Sequence, residues 1–95
     1  MSDTDQIFME ELKQEFIETT AKNLVDLRQL FKEKNLEEIA KIAHDIKGTS
    51  GIFGYDEGTE IARELNIAAK QNSVDKTEEL IAKLTDYMKK VGVVE

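Results

Sequence analysis

The sequence predicts an all-α protein, an antiparallel up-and-down four-helix bundle. Three observations carry this: no proline anywhere, four stretches with apolar residues at helical spacing, and short polar connections between them. With 95 residues, 40% hydrophobic and 35% charged, the chain has room for one domain, residues 1–95, and one modest core.

The first helix is expected from about Asp5 to Glu33. Phe8, Leu12, Phe16, Leu24, Leu27 and Phe31 recur at steps of three or four or a multiple of them, and are expected to lie in the core. At 1.5 Å per residue it would run about 40 Å, longer than its neighbours. The pattern leaves open a bend or a separate short first helix near Met9 to Glu11. Lys34-Asn35 interrupts it. Asn35 and Glu38 then have the spacing of a capping box, which starts a second helix with Leu36, Ile39, Ala43, Ile46, Ser50 and Phe53 inward and an end near Gly54.

The third helix is expected from about Asp56 to Lys70, with Ile61, Ala62, Leu65 and Ala68 or Ala69 inward. Gln71-Asn72-Ser73 is turn material. Asp75 with Glu78 repeats the capping-box spacing, and the fourth helix should bury Leu80, Ile81, Leu84, Met88 and Val91 before Gly92 ends it.

Composition excludes several functions. The absence of cysteine removes thiolate catalysis and Cys-based zinc sites and fits a reducing compartment. The opening Met1-Ser2-Asp3-Thr4-Asp5 has neither the basic nor the apolar run of a signal peptide, and no segment approaches a membrane span, so a cytoplasmic location is expected. Twenty acidic against 13 basic residues, net −7, would be repelled by phosphate backbones and anionic lipid, so neither nucleic acid nor membrane is an expected partner.

One histidine exists, His44. On a helical projection it lies about 140° from the centre of its helix's core stripe and should face water. Its neighbours on that face are small: Ala40 four residues before, Gly48 and Gly51 four and seven after. Each mid-helix glycine costs about 1 kcal/mol relative to alanine, so two on one face need a compensating reason. The natural reason is access for a partner backbone or a bulky group on the imidazole. Lys47, three residues on, can swing its ammonium beside an anion carried by His44. By itself it would read as a solvated lysine. A neutral imidazole is a competent nucleophile at cellular pH, but no phosphate-binding glycine loop, nucleotide pocket or acidic cluster for magnesium accompanies it. One imidazole without a second His or a Cys makes at best a weak metal site, so no metal and no cofactor is expected in the chain itself.

The run from Ala43 to Tyr55, Ala-His-Asp-Ile-Lys-Gly-Thr-Ser-Gly-Ile-Phe-Gly-Tyr, resembles the signature of histidine-containing phosphotransfer (HPt) domains. The agreement in helix count and order extends that resemblance over essentially the whole chain. It implies a monomeric phosphocarrier, not an enzyme, with His44 as phosphoacceptor and Lys47 beside the phosphoryl group. Gly48 leaves room for a docking receiver domain. The implied partners are receivers of response regulators or hybrid histidine kinases, which bring their own Mg²⁺. Ala40, Lys41, Gly48, Gly51, Ile52, Arg63 and Asn66 are the expected docking residues.

The Gly-Ile-Phe-Gly-Tyr stretch is also similar to the phosphoacceptor domain of chemotaxis histidine kinases, where a glutamate on the next helix primes the histidine. Here that position aligns with Asn66, with Arg63 one turn earlier, a departure that weakens the kinase version; Glu60 or Glu64 could serve instead. An isolated acceptor domain of such a kinase is one alternative function. A non-catalytic helical interaction bundle is the other.

Overall fold

The computed structural model describes residues 3–95. The signal-peptide reading rests partly on Met1 and Ser2, outside the described residues. Four helices follow one another: α1 (Asp3–Lys32), α2 (Leu36–Ile52), α3 (Asp56–Lys70) and α4 (Val74–Lys90). They pack in a ring, α2 on α3, α3 on α4, and α1 against both α2 and α4. Among the described residues no helix is long and apolar enough to cross a membrane.

The three connections share one construction. Each is three residues long, with the middle one in the left-handed region: Lys34 (φ 57°), Gly54 (φ 81°) and Asn72 (φ 57°). After α2, the Gly54 N–H donates to the Gly51 carbonyl and the Tyr55 N–H to the Ser50 carbonyl, 3.3 and 2.9 Å, which is a Schellman motif. The Lys34 and Asn72 turns repeat the pattern, and Gly92 (φ 80°) closes α4 in the same way. The last residue of each interhelical turn is also the N-cap of the next helix, so one helix's end sets the next one's start.

This shared residue explains two differences at the helix starts. Asn35 caps α2 as expected, its side chain accepting from the Glu38 N–H at 3.2 Å, but the reciprocal half of the box is absent. The Asn35 N–H donates to Leu30 instead, and the Glu38 carboxylate pairs with Lys41. At α4 the Asp75–Glu78 box does not form. Ser73 is the N-cap, because its N–H is already tied to the Ala68 carbonyl by the preceding turn, which places Asp75 inside the first turn.

The core is continuous and aliphatic, centred on Leu27, Ile39, Ile46, Leu65, Leu84 and Met88, all fully buried. Gly58, not singled out from sequence, belongs to it: a Cβ there would meet the Tyr87 ring at 2.8 Å and the Met88 methyl at 3.2 Å, so any larger residue would have to displace these side chains of α4. Val91 is exposed and Val93 buried in its place, because the turn at Gly92 folds the chain back onto Met88.

The largest departure is at the start of α1. It is one uninterrupted helix, with no separate first element. Its 30 residues span about 45 Å, whereas helices of 15 to 17 residues span about 25 Å. Its stripe enters the core only at Phe16, which stacks on Phe53 and Tyr55 with centroids 5.0 and 5.6 Å apart. Phe8 (58% exposed) and Leu12 (36%) are therefore not core residues; Leu12 only lines an open groove against α2, and Phe8 lies a turn further out along α1.

Candidate functional site

His44 sits in the middle of α2. Ala43 and Ile46 on either side of it are fully buried, which fixes the helix's rotation and turns the imidazole outward. His44 is exposed, as its projection predicts. Among the described residues its ring makes no hydrogen bond.

On one side of His44 the surface is bare. A Cβ at Gly48 would have nothing within 4 Å, so no packing inside this chain demands glycine there. The compensation for its helix-destabilising cost must lie outside the fold. Gly51 differs: a Cβ would make an ordinary contact, 3.7 Å from the Thr59 hydroxyl, where α2 meets the start of α3. Lys47 is half-buried one turn beyond His44, and its carbonyl lies 3.5 Å from that same hydroxyl.

On the other side an open cleft of about 830 Å³ runs between α2 and α3. His44, Lys41, Ala40 and Asn66 come together around it. The cleft also contains Lys70, which sequence reasoning treated only as a helix end. It enters no ion pair among the described residues, and it lines the same cleft as His44 together with the acids Glu37 and Asp45. Its place in the same cleft as His44 follows from the packing of α3 on α2, which spacing along the chain could not display.

Two expected docking residues are nearly buried: Ala40 is 5% and Asn66 9% exposed. They form the floor of the cleft. The Asn66 amide donates to the Ala40 carbonyl at 2.7 Å, a buried link from α3 to α2 one turn before His44. Because the Asn66 amide nitrogen is engaged there, Asn66 serves the backbone that carries His44.

The remaining charges are held locally. Lys41 pairs with Glu38 at 3.1 Å; that hydrogen bond first, then the charges of Glu38 and Glu37, raises its pKa. Glu60 accepts from the Arg63 guanidinium, which holds the carboxyl below its ordinary range and raises Arg63 in turn. Glu60 is thus committed to Arg63 rather than to the histidine, and Arg63 lies outside the cleft walls. Ile52, 71% exposed, stands two turns beyond His44 toward α1. Among the described residues no three His, Asp or Glu side chains gather as a metal site.

The arrangement offers an exposed imidazole free of internal partners among the described residues, a bare approach over Gly48, Lys47 one turn along α2, and a cleft lined by both lysines and acids. A family model described as the Hpt domain matches residues 11–92. No curated protein and no solved structure matches the chain.

Proposed function

The chain belongs to the Hpt domain family, and from that premise we propose that His44 carries the phosphoryl group. Hpt domains serve histidine phosphotransfer in phosphorelays, as carriers rather than kinases, and work with receiver domains. Here the reaction would be exchange between His44 and a receiver aspartate. A ring nitrogen of neutral His44 attacks phosphorus with its lone pair, the P–N bond forms, the P–O bond breaks, and the aspartate leaves as carboxylate. The other ring nitrogen keeps its proton. Mg²⁺ belongs to the receiver in this reading, and the protein supplies position and charge.

The observation that carries the assignment is the pairing of an exposed, unbonded His44 with Gly48, whose Cβ position is empty to 4 Å. A receiver can bring its aspartyl phosphate to the ring over that gap. Lys47, one turn along the same helix, and Lys70, in the wall of the same cleft, are the cations available to offset the charge of the phosphorylated ring. A carrier role is favoured over a kinase's acceptor domain because two of the three candidate primers are engaged elsewhere, Asn66 with the Ala40 carbonyl and Glu60 with Arg63, and the third, Glu64, makes no hydrogen bond to His44 among the described residues.

Phosphotransfer from labelled receiver domains tests this. Wild-type protein should take label and return it to unphosphorylated receiver, and His44→Gln should take none. Rapid labelling by a histidine kinase core and ATP, with no receiver present, would favour the kinase-domain reading instead.

A further inference from the structure

On its outer flank α1 carries a stripe that the rest of the chain leaves open. Ile7, Glu10, Gln14 and Ile17 follow one another at steps of three or four, and Ala21, Val25, Arg28 and Lys32 continue the series, so all of them share one side of the helix. All but Ile17 are exposed, and Val25, at 67%, is the most exposed of the large apolar residues of α1. The stripe borders α4. Ala21, Val25 and Arg28 line one groove against that helix, about 270 Å³, and Arg28 and Lys32 line the next, about 430 Å³, beside Phe31 and Ile81. α2 lies on the other side of α1, where it shares a groove with Leu12, Phe16 and Asn23.

Read in reverse, the stripe is its own complement. Two copies laid antiparallel about an axis between Ile17 and Ala21 set Ile7 against Lys32, Glu10 against Arg28, Gln14 against Val25 and Ile17 against Ala21, and the symmetry forms each pairing twice. We propose that this flank is the interface of a two-fold dimer, occupied by α1 of a second copy, with Ile17, Ala21 and Val25 at its centre and a Glu10–Arg28 ion pair toward each end. The Ile7 side chain of each copy then reaches the groove beside Phe31 and Ile81 of the other.

Charge selects a second copy as the occupant. From Asp5 to Glu18 the helix carries Asp5, Glu10, Glu11, Glu15 and Glu18 against Lys13 alone; from Lys22 to Lys34 the chain carries Lys22, Arg28, Lys32 and Lys34 against Asp26 and Glu33. The helix dipole favours such a division only within the first and last turns, and Glu10, Glu18 and Lys22 lie well inside α1. Neither Glu10 nor Arg28 enters an ion pair among the described residues. A partner that satisfies both halves together needs an acidic half and a basic half in reverse order, which α1 itself supplies.

From Ile7 to Lys32 the stripe runs about 38 Å, and with the edge of α4 it is about 20 Å wide, so it offers roughly the 800 Å² per partner of a standard interface. Its apolar centre is narrow and the net charge of −7 works against association, so the dimer is a weak one. Because the paired flank faces away from α2, both copies keep His44 and Gly48 uncovered.

Sedimentation equilibrium of the full chain, from micromolar to millimolar concentration, tests the proposal. Wild type should form a dimer and nothing larger, since a two-fold interface closes on itself. Glu10→Arg and Arg28→Glu should each raise the dimer dissociation constant about tenfold or more. An equimolar mixture of the two variants should recover wild-type affinity as a heterodimer, because both mixed pairs again set a base against an acid. Net charge alone predicts otherwise: Glu10→Arg makes the chain less negative and would strengthen association. Both positions are exposed, so both variants should fold, which circular dichroism checks. A wild type that stays monomeric at millimolar concentration, as the family resemblance implies, would overturn the proposal and leave the flank to another partner or to solvent. A dimer that survives both reversals, or a mixture no tighter than the single variants, would overturn it as well.

Discussion

At Gly48 the α2 backbone is helical, the position is solvent-exposed, and a methyl group would touch nothing in the chain. Glycine there weakens the helix by about 1 kcal/mol relative to alanine. Gly48→Ala should therefore raise the thermal midpoint by several degrees, about 4–8 °C for a domain of this size, while slowing phosphotransfer from a receiver. Calorimetry and a transfer assay on one preparation check both halves; a stabilised variant with wild-type transfer would make Gly48 incidental. Asn66 makes the opposite case. Its buried amide holds the Ala40 carbonyl, and Asn66→Asp would place a carboxylate against that carbonyl. Burial should raise the folded-state pKa of this acid, so stability is retained below its unfolded value near 4 and lost as pH rises through the folded pKa. Denaturation at pH 4 and pH 8 should show the variant closer to wild type at the lower pH. His44, Lys47 and Gly48 were legible as a constellation because one helix carries all three. Ala40 and Asn66 are more buried than a docking role suggests: Ala40 was chosen by its spacing from His44 and Asn66 by alignment, and neither shows what packs opposite.

Among the elements, the turns decide most. Four Schellman endings place a residue in the left-handed region, two of them glycines and two of them Lys34 and Asn72. The left-handed region costs a residue with a Cβ about 1–2 kcal/mol. Gly54→Ala should therefore destabilise by about 1 kcal/mol or more, opposite in sign to Gly48→Ala six residues earlier in the same segment. Lys34→Gly should stabilise by up to about 1 kcal/mol, less whatever the Lys34 ammonium gains from the Phe31 ring 3.9 Å away. Urea denaturation of the three variants measures these signs. The helix order, the limits of α3 and most of the core were legible because apolar spacing at helical period is strong in α2, α3 and α4. The second capping box was not, because Ser73 is claimed by the turn that ends α3, and a local motif gives way to the residue that the previous helix has already fixed. Phe8 was read as core for a related reason: periodicity reports a face, and whether a face is covered depends on the lengths of the other helices.

The whole molecule is elongated, 47 × 22 × 19 Å, because α1 outruns the bundle it belongs to. Residues 4–10 are all exposed, and the family match begins at residue 11. Deleting residues 1–10 should therefore change unfolding stability by no more than about 1 kcal/mol, the scale of surface changes, measured by chemical denaturation. A larger loss would mean that the projecting turns support the bundle. The core fills the bundle, an acidic stretch of α1 with exposed apolar side chains projects from one end, and His44 is exposed on α2 within the bundle. The most direct test of that arrangement is to phosphorylate the protein with phosphoramidate and locate the modification by mass spectrometry and NMR. The account predicts an acid-labile, alkali-stable phosphate on His44, absent from a folded His44→Gln variant. Phosphate on another residue, or none under conditions that label a known carrier, would contradict it.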